Sequence, residues 1–428
     1  MQLTEQPTTV GSIPRKIVHC ASTEAATAAV GFLPVMAGYI FYGRWLDLFP
    51  QIEFSTWMWS SVDLKWYVVS AFTHQGAFSR SSSFLADSAT KAICGVSIHC
   101  INEPGFWAIL LASYLLYWLI VRLTGSVIGA AVGATLWLLS VPVLDAFAWQ
   151  ATMGDRLVTL FGLATVHAGL SAMRWVSRRA TILRVATANV FVLAPAIVAY
   201  NSKEISWLLL PSLMLLAIAL TDDWRLAPII QRGSVLVAIA GYAIFRTIDT
   251  FVLLGESSGS QSLDFGGVPF HNAKLYIAYL TNHLYLGKVT KALLGITLAG
   301  MLFAVSRYRR AGREIRSQIQ LMIWAALSLA GGLVICLFTP SPGPYLLLLP
   351  STFLWIALVA LWRSIPITHR VIRPLAGLGI IAALTTIMLS ALSGSYSLYG
   401  MWCHGRITSD GPYQSSPVMC RSEPLSTS

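Results

Sequence analysis

Long apolar runs separated by short polar or basic segments dominate the chain. Eleven runs, at about 23–42, 106–121, 127–147, 157–173, 185–200, 205–221, 233–254, 292–306, 318–338, 346–362 and 375–392, come close to the roughly 20 helical residues that cross a hydrocarbon core of about 30 Å. The pattern predicts an all-α polytopic membrane protein with about eleven transmembrane helices. Residues 1–22 form an inner N-terminal segment, 23–392 a single transmembrane domain and 393–428 an outer tail. The longest connection is a first outer loop over 43–105, and a second outer loop covers 255–291. Two mixed polar and apolar stretches in the first loop, Asp63–Val69 and Ser83–Ala89, predict short helices, with Ser61 or Asp63 as N-cap of the former. Trp45, Trp57, Trp59 and Trp66 crowd the same loop, so these helices are expected to lie at the membrane interface. The second loop opens on a Gly/Ser-rich stretch, Gly255–Ser260, and continues through Tyr276–Leu280.

Composition agrees with that pattern. Of the 428 residues 56% are hydrophobic and only 11% charged, against about 25% in soluble proteins, which excludes an ordinary soluble enzyme. A net charge of +11 would suggest nucleic acid in a soluble chain. Here 17 of the 29 basic residues, from Arg15 and Lys16 through Arg122, Arg174 and Arg313 to Arg373, fall on one side of the layout with only 5 of the 18 acids. By the positive-inside rule that side is cytoplasmic, the basic excess is a topology signal, and no nucleic-acid partner is expected. No cleavable signal is expected, because the first apolar run continues past Pro34 to Tyr42 without a small-residue cleavage site. Cys94 with Cys100, and Cys403 with Cys420, fall outside and form disulfides or remain free thiols.

Charge beside or within a bilayer is costly, so four groups are candidate sites. Asp47 and Glu53 follow the first span, where a carboxylate could take a proton from an acceptor hydroxyl or simply be solvated. Asp145, Trp149, Asp155 and Arg156 bracket the turn before the fourth span, as a site or as a helix cap. In Asn201-Ser202-Lys203-Glu204 a lysine could hold a lipid phosphate as a point charge, with Glu204 orienting it; a plain polar turn is the alternative. Arg246 and Asp249, three apart on one helix face, read as an ion pair that is structural or phosphate-binding. No Gly-rich phosphate loop, HExxH or GxSxG occurs, which argues against an ATP-driven pump or a protease. No metal-ligand cluster is legible and no cofactor is expected, with a divalent metal left open.

The arrangement resembles the GT-C fold integral-membrane glycosyltransferases, including protein O-mannosyltransferases and their bacterial relatives. The resemblance rests on the long acidic first loop, on Val141–Trp149 followed by Gly154–Phe161, on Ser202–Pro211 with its Lys-Glu and Leu-Pro, and on Pro344–Ser351, covering about residues 25–360. This chain departs from the family pattern in carrying Asp47 without an adjacent second acid, Val141 before Pro142, and Pro344 before Tyr345. The resemblance implies transfer of a sugar from a polyprenyl-phosphate donor to a glycan, lipid or protein acceptor on the outer face of a cell membrane, expected to be a bacterial inner membrane. In that reading Asp47 matches the family's first-loop acid that activates the acceptor, and Lys203 the basic residue near the donor phosphate; Glu53 is the second catalytic candidate, and Asp155, Arg156, Glu204 and Arg246 are the further substrate-binding candidates among the charged groups. A polysaccharide polymerase or ligase, and a transporter or flippase for lipid-linked substrates, are the alternatives.

Overall fold

The computed structural model describes residues 15–43, 46, 81–95, 97–148, 152–221, 226–248, 268–281, 298–337 and 343–364, and every regular element among them is helical. In chain order these are α1 (Arg15–Tyr42), α2 (Ser81–Cys94), α3 (Ile98–Thr124), α4 (Val127–Leu138), α5 (Val141–Ala148), α6 (Met153–Arg178) and α7 (Ile182–Tyr200). A 3-10 turn over Glu204–Leu208 leads into α8 (Leu209–Ala219); α9 (Leu226–Gly233) and α10 (Val237–Ile248) flank a 3-10 turn at Ser234–Leu236. Then come α11 (Val268–Thr281), α12 (Arg313–Leu337) and α13 (Leu348–Ser364), the last entered through a 3-10 turn at Pro344–Leu347.

Seven helical segments are long and apolar enough to cross a membrane: Glu24–Tyr42, His99–Thr124, Met153–Arg178, Ile182–Tyr200, Leu226–Ile248, Arg313–Leu337 and Tyr345–Ser364. The chain is a polytopic helical membrane protein. Two further predicted spans are shorter apolar helices, Val127–Leu138 and Glu204–Ala219. Residues 298–306 of another are helical, and 375–392 lies outside the described residues. The predicted span at 127–147 is broken in two, and Pro142 gives the reason. Proline has no N–H to donate and its ring collides with the carbonyl four residues back, here Leu138, so α4 ends there and α5 restarts with Pro142 in its first turn. α3 begins at Ile98, inside the predicted first outer loop, and α2 realises the second helix predicted there. The first predicted loop helix, at 63–69, lies outside the described residues.

The exterior of the bundle is apolar, as lipid requires: Ile40 on α1 is 74% exposed and Ile182 on α7 is 92% exposed. Inside, small and polar side chains fasten helix to helix. The Trp137 indole donates to the Leu348 carbonyl at 3.2 Å and to the Ser351 hydroxyl at 3.1 Å, joining α4 to α13. Ser212 and Ser328 share a hydrogen bond of 2.8 Å, and the Trp324 indole donates to the Ser212 carbonyl, joining α8 to α12. Apolar burial gives little drive between helices already in lipid, so such contacts and close packing carry the association.

Helix polarity separates two ends. α6 carries Asp155 in its first turn and runs to Arg178, α7 returns from Arg184 to Tyr200, and α13 leads away from Tyr345 to Arg363. The described members of the predicted inner basic set therefore gather at one end, and the segments bearing Asp145, Asp155 and Lys203 meet at the other.

Candidate functional site

The acidic end is assembled from five segments. α6 opens with Thr152-Met153-Gly154-Asp155-Arg156, and the Ser202-Lys203-Glu204 turn lies directly against it. A Cβ on Gly154 would lie 2.7 Å from the Ser202 carbonyl oxygen, so only glycine allows this approach. α2 crosses above: the Ser82 N–H donates to the Asn201 carbonyl at 2.9 Å, and Ser83 packs on Gly154. Its other end is tied to α3 by a Cys94–Cys100 disulfide. Of the two outer cysteine pairs, this one forms; Cys403 and Cys420 lie outside the described residues.

Lys203 is the meeting point. Its Nζ lies 3.4 Å from Asp155 Oδ2 and 5.8 Å from the centroid of the Tyr345 ring. The Tyr345 N–H in turn donates to Asp145 Oδ2 at 3.2 Å. Asp155 is 2% exposed and Lys203 12% exposed, so the pair is largely shielded from water. An ammonium has three donors. With its charge ion-paired to Asp155 and facing an aromatic ring, Lys203 keeps donor capacity for an anion.

Arg156 is spent differently. Its guanidinium donates to the Ala146 carbonyl from both Nε and a terminal nitrogen, stacks 5.8 Å from the Phe147 ring, and occupies the space a Cβ at Gly105 would fill. The Thr152 hydroxyl donates to the same carbonyl at 2.7 Å. Arg156 thus clamps the end of α5 onto α6 and fixes where Asp145 points. Its charge is felt by Asp87 on α2, one turn beyond Ser83 on the same face. Burial pushes the Asp87 carboxyl up to about 7, with the Arg156 charge opposing, and Asp87 Oδ1 is buried with no hydrogen-bond partner among the described residues.

Of the residues singled out in the sequence, Asp155, Arg156 and Lys203 converge, and Glu204 starts the adjoining 3-10 turn. Arg246 is buried on the last turn of α10, four residues beyond Tyr242, whose hydroxyl accepts from the Asn201 side chain. Its predicted partner Asp249, and both Asp47 and Glu53, lie outside the described residues. Asp87 had not been singled out. The spacing Ser83, Asp87 in a polar loop helix was the available signal, but nothing local shows that this face turns onto α6. Among the described residues no group of three or more His, Cys, Asp or Glu side chains could hold a metal ion. No protein-family model, curated protein or solved structure matches the chain.

Proposed function

We propose that the chain is a membrane glycosyltransferase that moves a sugar from a polyprenyl-phosphate donor to an envelope glycan, lipid or protein acceptor on the outer face of a bacterial cell membrane. The observation that carries this reading is the Lys203–Asp155 pair at the acidic end, backed by Tyr345 and Asp145. A lysine held by a buried carboxylate beside an aromatic ring is placed to receive the phosphate of a lipid donor and to stabilise the phosphate as it leaves. A groove between α1 and α3, lined by Tyr39, Ile40, Leu46, Phe106 and Trp107 together with His99 and Glu103, lies at the same end and offers an apolar wall to a lipid tail. The basic belt at the other end supports an outer location for this site, because basic ends stay in the cytoplasm.

In the reaction the acceptor oxygen attacks the anomeric carbon, its proton passes to a carboxylate, and the bond from that carbon to the phosphate oxygen breaks with inversion. Asp47 is the base the resemblance implies, with Glu53 as the second candidate. Asp155 holds Lys203, Arg156 fixes the α5–α6 corner, and Glu204 and Arg246 are further candidates for contact with the donor.

The test is sugar transfer in proteoliposomes supplied with a panel of polyprenyl-phosphate sugars. Wild type is expected to transfer one of them, Asp47→Asn to fall by about 10²–10⁴-fold as for loss of a general base, and Asp155→Asn to weaken donor use. No transfer by wild type from any lipid donor overturns the reading; unchanged transfer by Asp47→Asn removes only that residue's role.

A further inference from the structure

At the basic end two arginines lie together, and among the described residues neither is paired with an acid. Arg122 stands in the last turn of α3 and Arg174 in the penultimate turn of α6, and Arg174 donates to the Arg122 carbonyl at 3.0 Å. Arg122 donates to Nδ1 of His167 at 3.1 Å and to the Ser171 hydroxyl at 2.9 Å. His167, Ser171 and Arg174 follow one another at i, i+4 and i+7, so all three lie on the face of α6 that meets α3.

The histidine cannot supply a negative charge, and the hydrogen bonds assign its state. A guanidinium only donates, so Nδ1 accepts and carries no proton; Nε2 carries it and donates to the Leu115 carbonyl at 2.8 Å. His167 is therefore neutral and acts as a bracket for Arg122. Ser171 is likewise oriented, its hydroxyl donating back to the His167 carbonyl at 2.8 Å. Among the described residues neither Arg122 nor Arg174 forms an ion pair. Arg122 is half-buried and Arg174 exposed, so the two charges mark the boundary between helix bundle and solvent. Next to Arg174 in sequence, Trp175 is 40% exposed with the Arg184 guanidinium 5.7 Å from its ring, the kind of aromatic and cationic pairing that belongs at headgroup level.

Two guanidiniums side by side repel, and partial burial strengthens the repulsion. Of ten N–H donors on the two side chains, three are used on acceptors among the described residues: two from Arg122 and one from Arg174. We propose that Arg122 and Arg174 form a binding site for the phosphate of an anionic phospholipid at the basic end of the bundle, with His167 and Ser171 holding Arg122 in position. A phosphodiester offers a negative charge and acceptor oxygens spaced for a pair of guanidiniums, and the bilayer presents it at this depth. The site stands apart from the acidic end and does not depend on the chemistry proposed there.

The experiment is native mass spectrometry of the full chain released from nanodiscs of phosphatidylcholine with a minority of phosphatidylglycerol. Wild type is expected to retain phosphatidylglycerol in preference to phosphatidylcholine. Both guanidiniums donate charge-assisted hydrogen bonds to the phosphate, so Arg122→Gln with Arg174→Gln is expected to weaken that retention by at least about tenfold. Arg174→Gln alone, at an exposed position, gives a partial loss and covers the case in which the double variant fails to fold. Arg363→Gln, whose native side chain pairs with Glu314 at 3.2 Å, is expected to behave as wild type. Equal retention by wild type and Arg174→Gln overturns the site. Preference for added inorganic phosphate in phosphatidylcholine discs, with no preference for phosphatidylglycerol, overturns the lipid as its source.

Discussion

At the residue scale the acidic end holds a carboxyl group that resists ionising, that of Asp87. Its carboxyl rises to about 7 from an ordinary value near 4, with burial as the cause. Between those values the folded protein binds more protons than the unfolded chain, so stability falls as pH rises from about 4 to 7 and levels off above. Asp87→Asn is expected to raise the thermal midpoint at pH 8 and to leave it nearly unchanged at pH 4. The check is a melting curve against pH in detergent, and an identical pH slope in both proteins contradicts the assignment. The chemistry at this scale was partly legible. Lys203 and Asp155 stood out because charge beside an apolar run is costly, whereas Asp87 sat in a polar loop segment where acids are unremarkable. Only the docking of α2 through Ser82 and Ser83 gives it meaning.

At the element scale, apolar length predicted helices well and misjudged where they break. Pro142 ends α4 early through its missing donor, a signal present in the sequence but outweighed by the apolar run around it. The span at Leu226–Ile248 is interrupted by the Ser234–Leu236 turn, and a side chain from another helix repairs it. Asn189 on α7 donates to the Ser234 carbonyl at 2.8 Å and accepts from the Ala238 N–H at 2.8 Å. Asn189→Leu leaves both backbone groups unmet in an apolar setting, where each costs about 1–3 kcal/mol, less whatever the helix recovers by local relaxation. A drop in thermal midpoint is expected, together with faster hydrogen exchange confined to residues near 234–238. A midpoint equal to wild type with unchanged exchange there contradicts the role given to Asn189. No local rule could have shown this, since an asparagine in an apolar helix does not announce which neighbouring break it serves.

At the scale of the whole molecule, charge asymmetry along the sequence became a spatial separation. Arg122, Arg174, Arg184, Arg313 and Arg363 share one end because alternate helices run in opposite directions, and Asp145, Asp155 and Lys203 share the other for the same reason. The Cys94–Cys100 disulfide at the acidic end fits a non-cytoplasmic location. In a background without native cysteines, His99→Cys is expected to react with an impermeant maleimide in intact cells, and Ala311→Cys only after permeabilisation. Reaction of both from one side contradicts the separation. The convergence of segments distant in sequence, such as Lys203 with Tyr345, was legible only as a shared order of motifs. The central claim is that this convergence serves a phosphate leaving group. Its most direct measurement is the rate of sugar transfer from the preferred polyprenyl-phosphate donor by Lys203→Met beside wild type in the same proteoliposomes. Loss of one preorganised charge aimed at the leaving phosphate predicts a fall of about 10²–10³-fold in kcat with the fold retained; a folded Lys203→Met protein transferring at the wild-type rate contradicts the account.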